Sequence, residues 1–185
     1  MQRKFLLTAI GEDRPGIVSR LTEVLVSQNT NLEESRMAIL GGEFAAIVLI
    51  AVPEDVDVDV LTMELGKLQK DGISVTLKKT TPLDAARFAD CVQYRLELTG
   101  ADHEGIVFKI SQLLRNHSIN IQTMETEVVP APMTATPLFQ LRAVIAAPRT
   151  LSFGELKKQL DKVAEAESVD INIKEVDAST ACAKR

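Results

Sequence analysis

The stretches IGEDRPGIV (10–18) and TGADHEGIV (99–107) place the same residues at the same intervals. Gly11, Asp13, Gly16, Ile17 and Val18 of the first return as Gly100, Asp102, Gly105, Ile106 and Val107 of the second, 89 positions later. The correspondence runs outward without a gap over Phe5–Leu32 and Tyr94–Ile121, and brings Asn31 onto Asn120. Further on, LIAVP (49–53) meets VIAAP (144–148) after about six extra residues in the second copy. Those residues fall in VPAPMTATP (129–137), whose three prolines predict a loop. The chain of 185 residues therefore reads as a tandem duplication. We expect domains over 1–80 and 91–177, a linker over 81–90 and a tail over 178–185.

Each copy changes hydrophobic period in the same order. Phe5, Leu7 and Ala9 alternate as in a strand, which Gly11 is expected to end. Pro15 suits the first turn of a helix, and Ile17, Val18, Leu21, Val24 and Leu25 follow at helical spacing. Asn29–Asn31 is a turn signal. Ser35, Met37 and Ile39 predict a half-buried strand, and Gly41-Gly42 a two-residue hairpin turn. Phe44–Val52 is apolar on both faces, as in a central strand. Pro53 and the acidic run beyond it begin a second helix through Leu61, Leu65 and Leu68, and Ile73, Val75 and Leu77 close the copy as a strand. The order is βαββαβ, twice. One apolar stripe per helix requires both helices on one face of the sheet, and right-handed crossovers put the first and third strands in the middle. The expected fold is α+β, two ferredoxin-like sandwiches with antiparallel four-stranded sheets.

Composition narrows the function. Aromatic residues are 4% with no Trp, and the net charge is −5, which disfavours stacking platforms for RNA and basic surfaces for DNA or anionic lipid. No apolar run approaches a membrane span, and no signal peptide is evident. Cys91 and Cys182 are isolated, which suits free thiols in a reducing cytoplasm. No catalytic constellation emerges. His103 and His117 lie one helix apart, no serine sits in a G-x-S-x-G elbow, and Ile17-Val18 stand where a phosphate loop needs Lys and Ser/Thr. Neither metal nor cofactor is expected. Glu33-Glu34 is a carboxylate pair, but neighbours on a regular strand face opposite sides, so they read as solvent and core-edge charges.

The turn GEDRPGIV remains. The N–H groups of Gly16, Ile17 and Val18 open a helix, and its dipole favours a small carboxylate. Asp13 is placed to accept from an ammonium group, and the carboxamide of Asn31 can serve either end of a zwitterion. That is the chemistry of an α-amino-acid site, with Asp102, Gly105, Ile106 and Asn120 as its second copy. A plainer reading stands beside it: Asp13 caps the helix, Pro15 and Gly16 shape the turn, and Asn31 ends the connection.

DRPGIVSRLTEVLVSQNTNLEESR (13–36) resembles the signature of the ACT domain, a small-molecule regulatory module. The tandem layout resembles the glycine-cleavage-system transcriptional repressor family, over about residues 4–176. The resemblance implies a non-enzymatic, cytoplasmic regulator and an amino-acid effector, glycine or serine, bound where modules meet, near the turn before the first helix. The residues it implicates are Asp13, Pro15, Gly16, Ile17 and Asn31, with Asp102, Gly105, Ile106 and Asn120. It further implies a homodimer, and action through a DNA-binding transcription regulator rather than on nucleic acid. Amino-acid-binding ACT domains often carry Asn where Asp13 stands, so the charge here departs from that pattern. Glu104, in HEG (103–105) against RPG (14–16), would repel a carboxylate at the second site. The alternatives are a ligand-free scaffold and a regulatory subunit of a metabolic enzyme. ACT modules precede catalytic domains elsewhere, as in formyltetrahydrofolate deformylases with a similar DRPGIV turn. A last contrast concerns the sheet face away from the helices. It carries Leu6 and Ile10 in copy one but Arg95, Glu97 and Thr99 in copy two. Either the first face is covered, by copy two or by another subunit, or it is simply the back of an apolar central strand.

Overall fold

The computed structural model describes residues 2–81, 90–131 and 136–176. Its contacts divide the chain into two compact units, Met1–Leu83 and Asp84–Arg185. The expected linker (81–90), the expected tail (178–185) and Cys182 lie wholly or mainly outside the described residues.

Unit 1 consists of β1 (Gln2–Glu12), α1 (Ile17–Ser27), β2 (Asn31–Leu40), β3 (Glu43–Pro53), α2 (Val58–Gly66), a 3-10 turn (Lys67–Asp71) and β4 (Ser74–Lys79). Unit 2 repeats the order with β5 (Cys91–Ala101), α3 (Ile106–Asn116), β6 (Asn120–Pro130), β7 (Pro137–Pro148), α4 (Phe153–Glu167) and β8 (Val169–Glu175). The sheets run β2-β3-β1-β4 and β6-β7-β5-β8, and every pairing is antiparallel. First and third strands are central, as the crossover argument requires.

Alternation builds each core. In unit 1, Phe5, Leu7 and Ala9 of β1 and Phe44, Ala46, Val48 and Ile50 of β3 face Ile17, Leu21 and Leu25 of α1 and Leu61 and Leu65 of α2. Unit 2 repeats this with Tyr94, Leu96 and Leu98, Leu141 and Ile145, and the stripes Ile106, Ile110, Leu114 and Leu156, Leu160.

Several local expectations are corrected. Gly11 does not end β1; it pairs with Phe44 inside the ladder. Its reason is space, since a Cβ there would lie 2.6 Å from the backbone oxygen of Gly72. A Cβ on Gly100 would meet Val169 Cγ1 at 2.4 Å. The repeated glycine thus lets the first strand approach the start of the last one. Pro15 lies two residues ahead of α1 rather than in its first turn. Pro53 closes β3, and Asp57 begins α2 by accepting a hydrogen bond from the N–H of Asp59 at 2.9 Å. Met37 and Ile39 are 48% and 63% exposed on β2, which is an edge strand of its sheet. Strands also extend into the 129–137 stretch, with Pro130 opposite Pro137 on the last rung, where a missing N–H is tolerated.

Glu33 and Glu34 do not alternate. The ladder shifts register between Leu32 and Glu34, as in a bulge, which sets both carboxylates toward cations of the open face. Glu33 pairs with Lys4, and Glu34 lies 3.1 Å from Arg36. Both are exposed on one face, so the expected split into a solvent and a core-edge charge is corrected.

Candidate functional site

The two repeated turns have one backbone. Gly16 adopts φ 99°, ψ −6° and Gly105 φ 99°, ψ −11°, the third position of a type II turn, with Pro15 and Glu104 in the second. The positive φ requires glycine, and a Cβ at either position would meet no neighbour within 4 Å. The space above the turn is open. Each turn is pinned from behind: the N–H of Asp13 donates to the Gly42 carbonyl at 2.9 Å, and that of Asp102 to Pro137 at 3.2 Å.

A second tie links the turn to the far end of each unit. Arg14 donates to the backbone carbonyl of Asp71, and Arg20 reaches the Asp71 carboxylate at 3.0 Å. At the Arg14 position of unit 2, His103 sets Nε2 3.0 Å from the Glu167 carbonyl and Nδ1 3.1 Å from that of Glu104. Two acceptors on one ring favour the doubly protonated imidazolium, so the His103 pKa is raised, first by Glu167 and then by Glu104. The sequence offered only a hint of these clasps, a donor-bearing residue before each turn. Their acceptors are backbone carbonyls 57 and 64 residues away.

The four α-helix starts among the described residues fall into two kinds. Asp57 caps α2 and Ser152 caps α4 through its hydroxyl, at 3.2 Å from the N–H of Glu155. Both helices also carry an acidic residue, Asp59 or Glu155, in the first turn. α1 and α3 have neither a side-chain cap nor a first-turn acid. Asp13 and Asp102, both exposed, therefore do not cap, contrary to the plainer sequence reading. The positive ends of α1 and α3 are left to their surroundings. Ile17 and Ile106 contribute their N–H groups alone, since their side chains are buried in the cores.

The asparagines are not beside the turns. Asn31 pairs with Ala51, and Ala51 with Lys4, at the start of β1; Asp13 follows its end. About nine strand residues, near 30 Å, separate the two levels. Asn120, opposite Ala146, is likewise remote from Gly105. Within one unit, no single amino acid spans turn and asparagine. The sequence brought them together because a helix and a turn hide the reversal of direction that returns the chain to the bottom of the sheet.

Among the described residues, no three His, Cys, Asp or Glu side chains converge as a metal site. No described helix is long and apolar enough to cross a membrane.

The ACT domain model matches residues 3–78, which span β1 to β4. A UPF0237 protein of Methanopyrus kandleri is 37% identical over 75 residues, 40% of this chain and 83% of that protein. The chain belongs to the ACT-domain family. The glycine cleavage system transcriptional repressor of Escherichia coli is 28% identical over 131 residues, covering 70% of this ACT protein and 67% of the repressor. The crystal structure of an unknown protein from Galdieria sulphuraria superposes with TM-score 0.82 at 32% identity, over 95% of this chain and 99% of that one. The two ACT domains are thus in tandem, each with the complete βαββαβ order.

Proposed function

We propose that this protein is a non-enzymatic cytoplasmic regulator of glycine cleavage or related amino-acid metabolism, and that it senses a small amino acid, glycine or serine. The uncapped start of α1, beside an open glycine turn and the free-standing Asp13 carboxylate, carries the reading. The N–H groups of Ile17 and Val18 take the effector carboxylate, and Asp13 takes its ammonium. A glycine-sized ligand needs no further pocket wall at Gly16. The turn in unit 1 is the stronger site, because Glu104 places a carboxylate in the equivalent turn of unit 2. The reading includes a homodimer, and leaves Asn31, at the opposite end of the sheet, outside this contact. The signal passes to a DNA-binding transcription regulator by protein contact, as ligand shifts the population of one packing over another. Likeness to a glycine cleavage repressor supports this direction.

The test is thermal unfolding of the full chain against the twenty amino acids. A ligand at a hundred times its Kd adds roughly 2.7 kcal/mol, a shift of several degrees. A selective response to glycine or serine supports the sensor. A flat panel at about 10 mM leaves the ligand-free scaffold in its place.

A further inference from the structure

Unit 1 has an open sheet face that its fold does not require to be apolar. Away from the helices, the register sets Leu6 opposite Leu49, Thr8 opposite Ile47, and Ile10 opposite Ala45. Ile10 and Ile47 are 55% and 53% exposed. The same rungs of unit 2 read Arg95 with Val144, Glu97 with Arg142, and Thr99 with Gln140. One duplicated fold therefore stands with a charged back in unit 2 and an apolar back in unit 1.

The face is complementary to itself. One rung crosses all four strands as Glu34, Leu49, Leu6, Lys78. Its two ends carry opposite charges and its middle is leucine. A two-fold axis parallel to the strands, lying between two such faces, sets β2 of one copy over β4 of the other. Each Glu34 then meets Lys78 of the second copy, and the leucines meet leucines. One rung on, the strands read Arg36, Ile47, Thr8, Thr76, so Arg36 comes over Thr76 of the second copy. The result is an apolar centre with a polar, charge-matched rim, in the aligned packing that twisted sheets adopt.

We propose that two copies of this chain pair back to back through the open face of unit 1, with reciprocal Glu34–Lys78 contacts. This deepens the homodimer element of the proposed function by naming its surface, and does not depend on an effector. Sedimentation equilibrium of the full chain between about 1 and 100 µM tests it. The wild type is expected to dimerise, and Ile47→Glu to be monomeric with unchanged circular dichroism. Should Ile47→Glu fail to fold, the rim decides. Glu34→Lys and Lys78→Glu each weaken dimerisation at least about tenfold, and the double reversal restores it. A dimer indifferent to Ile47→Glu and to the single reversals overturns this face while leaving a homodimer in place. A wild type that stays monomeric over the whole range overturns both.

Discussion

His103 and Glu167, 64 residues apart, are joined by the imidazole Nε2 and a backbone carbonyl oxygen at 3.0 Å. Because Nδ1 faces a second carbonyl, that of Glu104, the neutral ring satisfies only one contact. Raising the folded-state pKa above the ordinary 6.5 makes protonation and folding mutually favourable. The contribution is fully present below pH 6.5 and is lost as pH rises through the higher folded value. Asp102 and the Glu167 carboxylate strengthen the same trend. Urea unfolding from about pH 5.5 to 8.5 is expected to show wild-type stability declining more steeply with pH than that of His103→Gln. Equal slopes for the two proteins would exclude the clasp.

Gly11→Ala and Gly100→Ala each add a methyl group where none fits, and each is expected to cost about 1–3 kcal/mol. Their remedies differ. The obstruction at Gly100 is the Val169 side chain, so Val169→Ala in the same chain recovers part of the loss. At Gly11 the obstruction is the Gly72 backbone, and no side-chain substitution relieves it. A double-mutant cycle on denaturant midpoints measures the difference.

Gly16→Ala meets no neighbour, so its cost is conformational alone, about 1–2 kcal/mol for a side chain at positive φ. Gly154→Ala, within α4 and also free of neighbours, is expected to stabilise by about 0.5–1 kcal/mol. Opposite signs in thermal unfolding confirm that the turn, rather than crowding, requires glycine at 16.

Capping and ligand binding separate at the aspartates. Asp57→Ala removes a cap and is expected to lower stability by about 1 kcal/mol. Asp13→Ala removes none and leaves stability within about 0.5 kcal/mol, while abolishing the stabilisation given by the effector. If Asp13→Ala responds to ligand as the wild type does, the carboxylate has no part in binding.

The order of elements was legible because each signal is local. Periods of 2 and 3.6, the Gly-Gly hairpin and the repeated turn lie within a few residues of one another. The duplication then checked each element against its copy, and the ACT likeness rested on the same turn. Long-range placement was not legible. Nothing local says that Gly11 faces Gly72, that Arg14 and His103 hold carbonyls across the unit, or that the β2 bulge sends Glu33 and Glu34 to one side. The site was half readable for the same reason. Asp13, Gly16 and Ile17 are neighbours in the chain and remain so in space. Asn31, fifteen residues after Gly16, is carried to the opposite end of the sheet by one helix. Sequence determined which segments form strands and helices, since hydrophobic period and turn chemistry act along the chain. Tertiary structure alone decided which residues share an end, a face or a clasp, since those depend on the direction in which each element runs and on the register in which the strands pair.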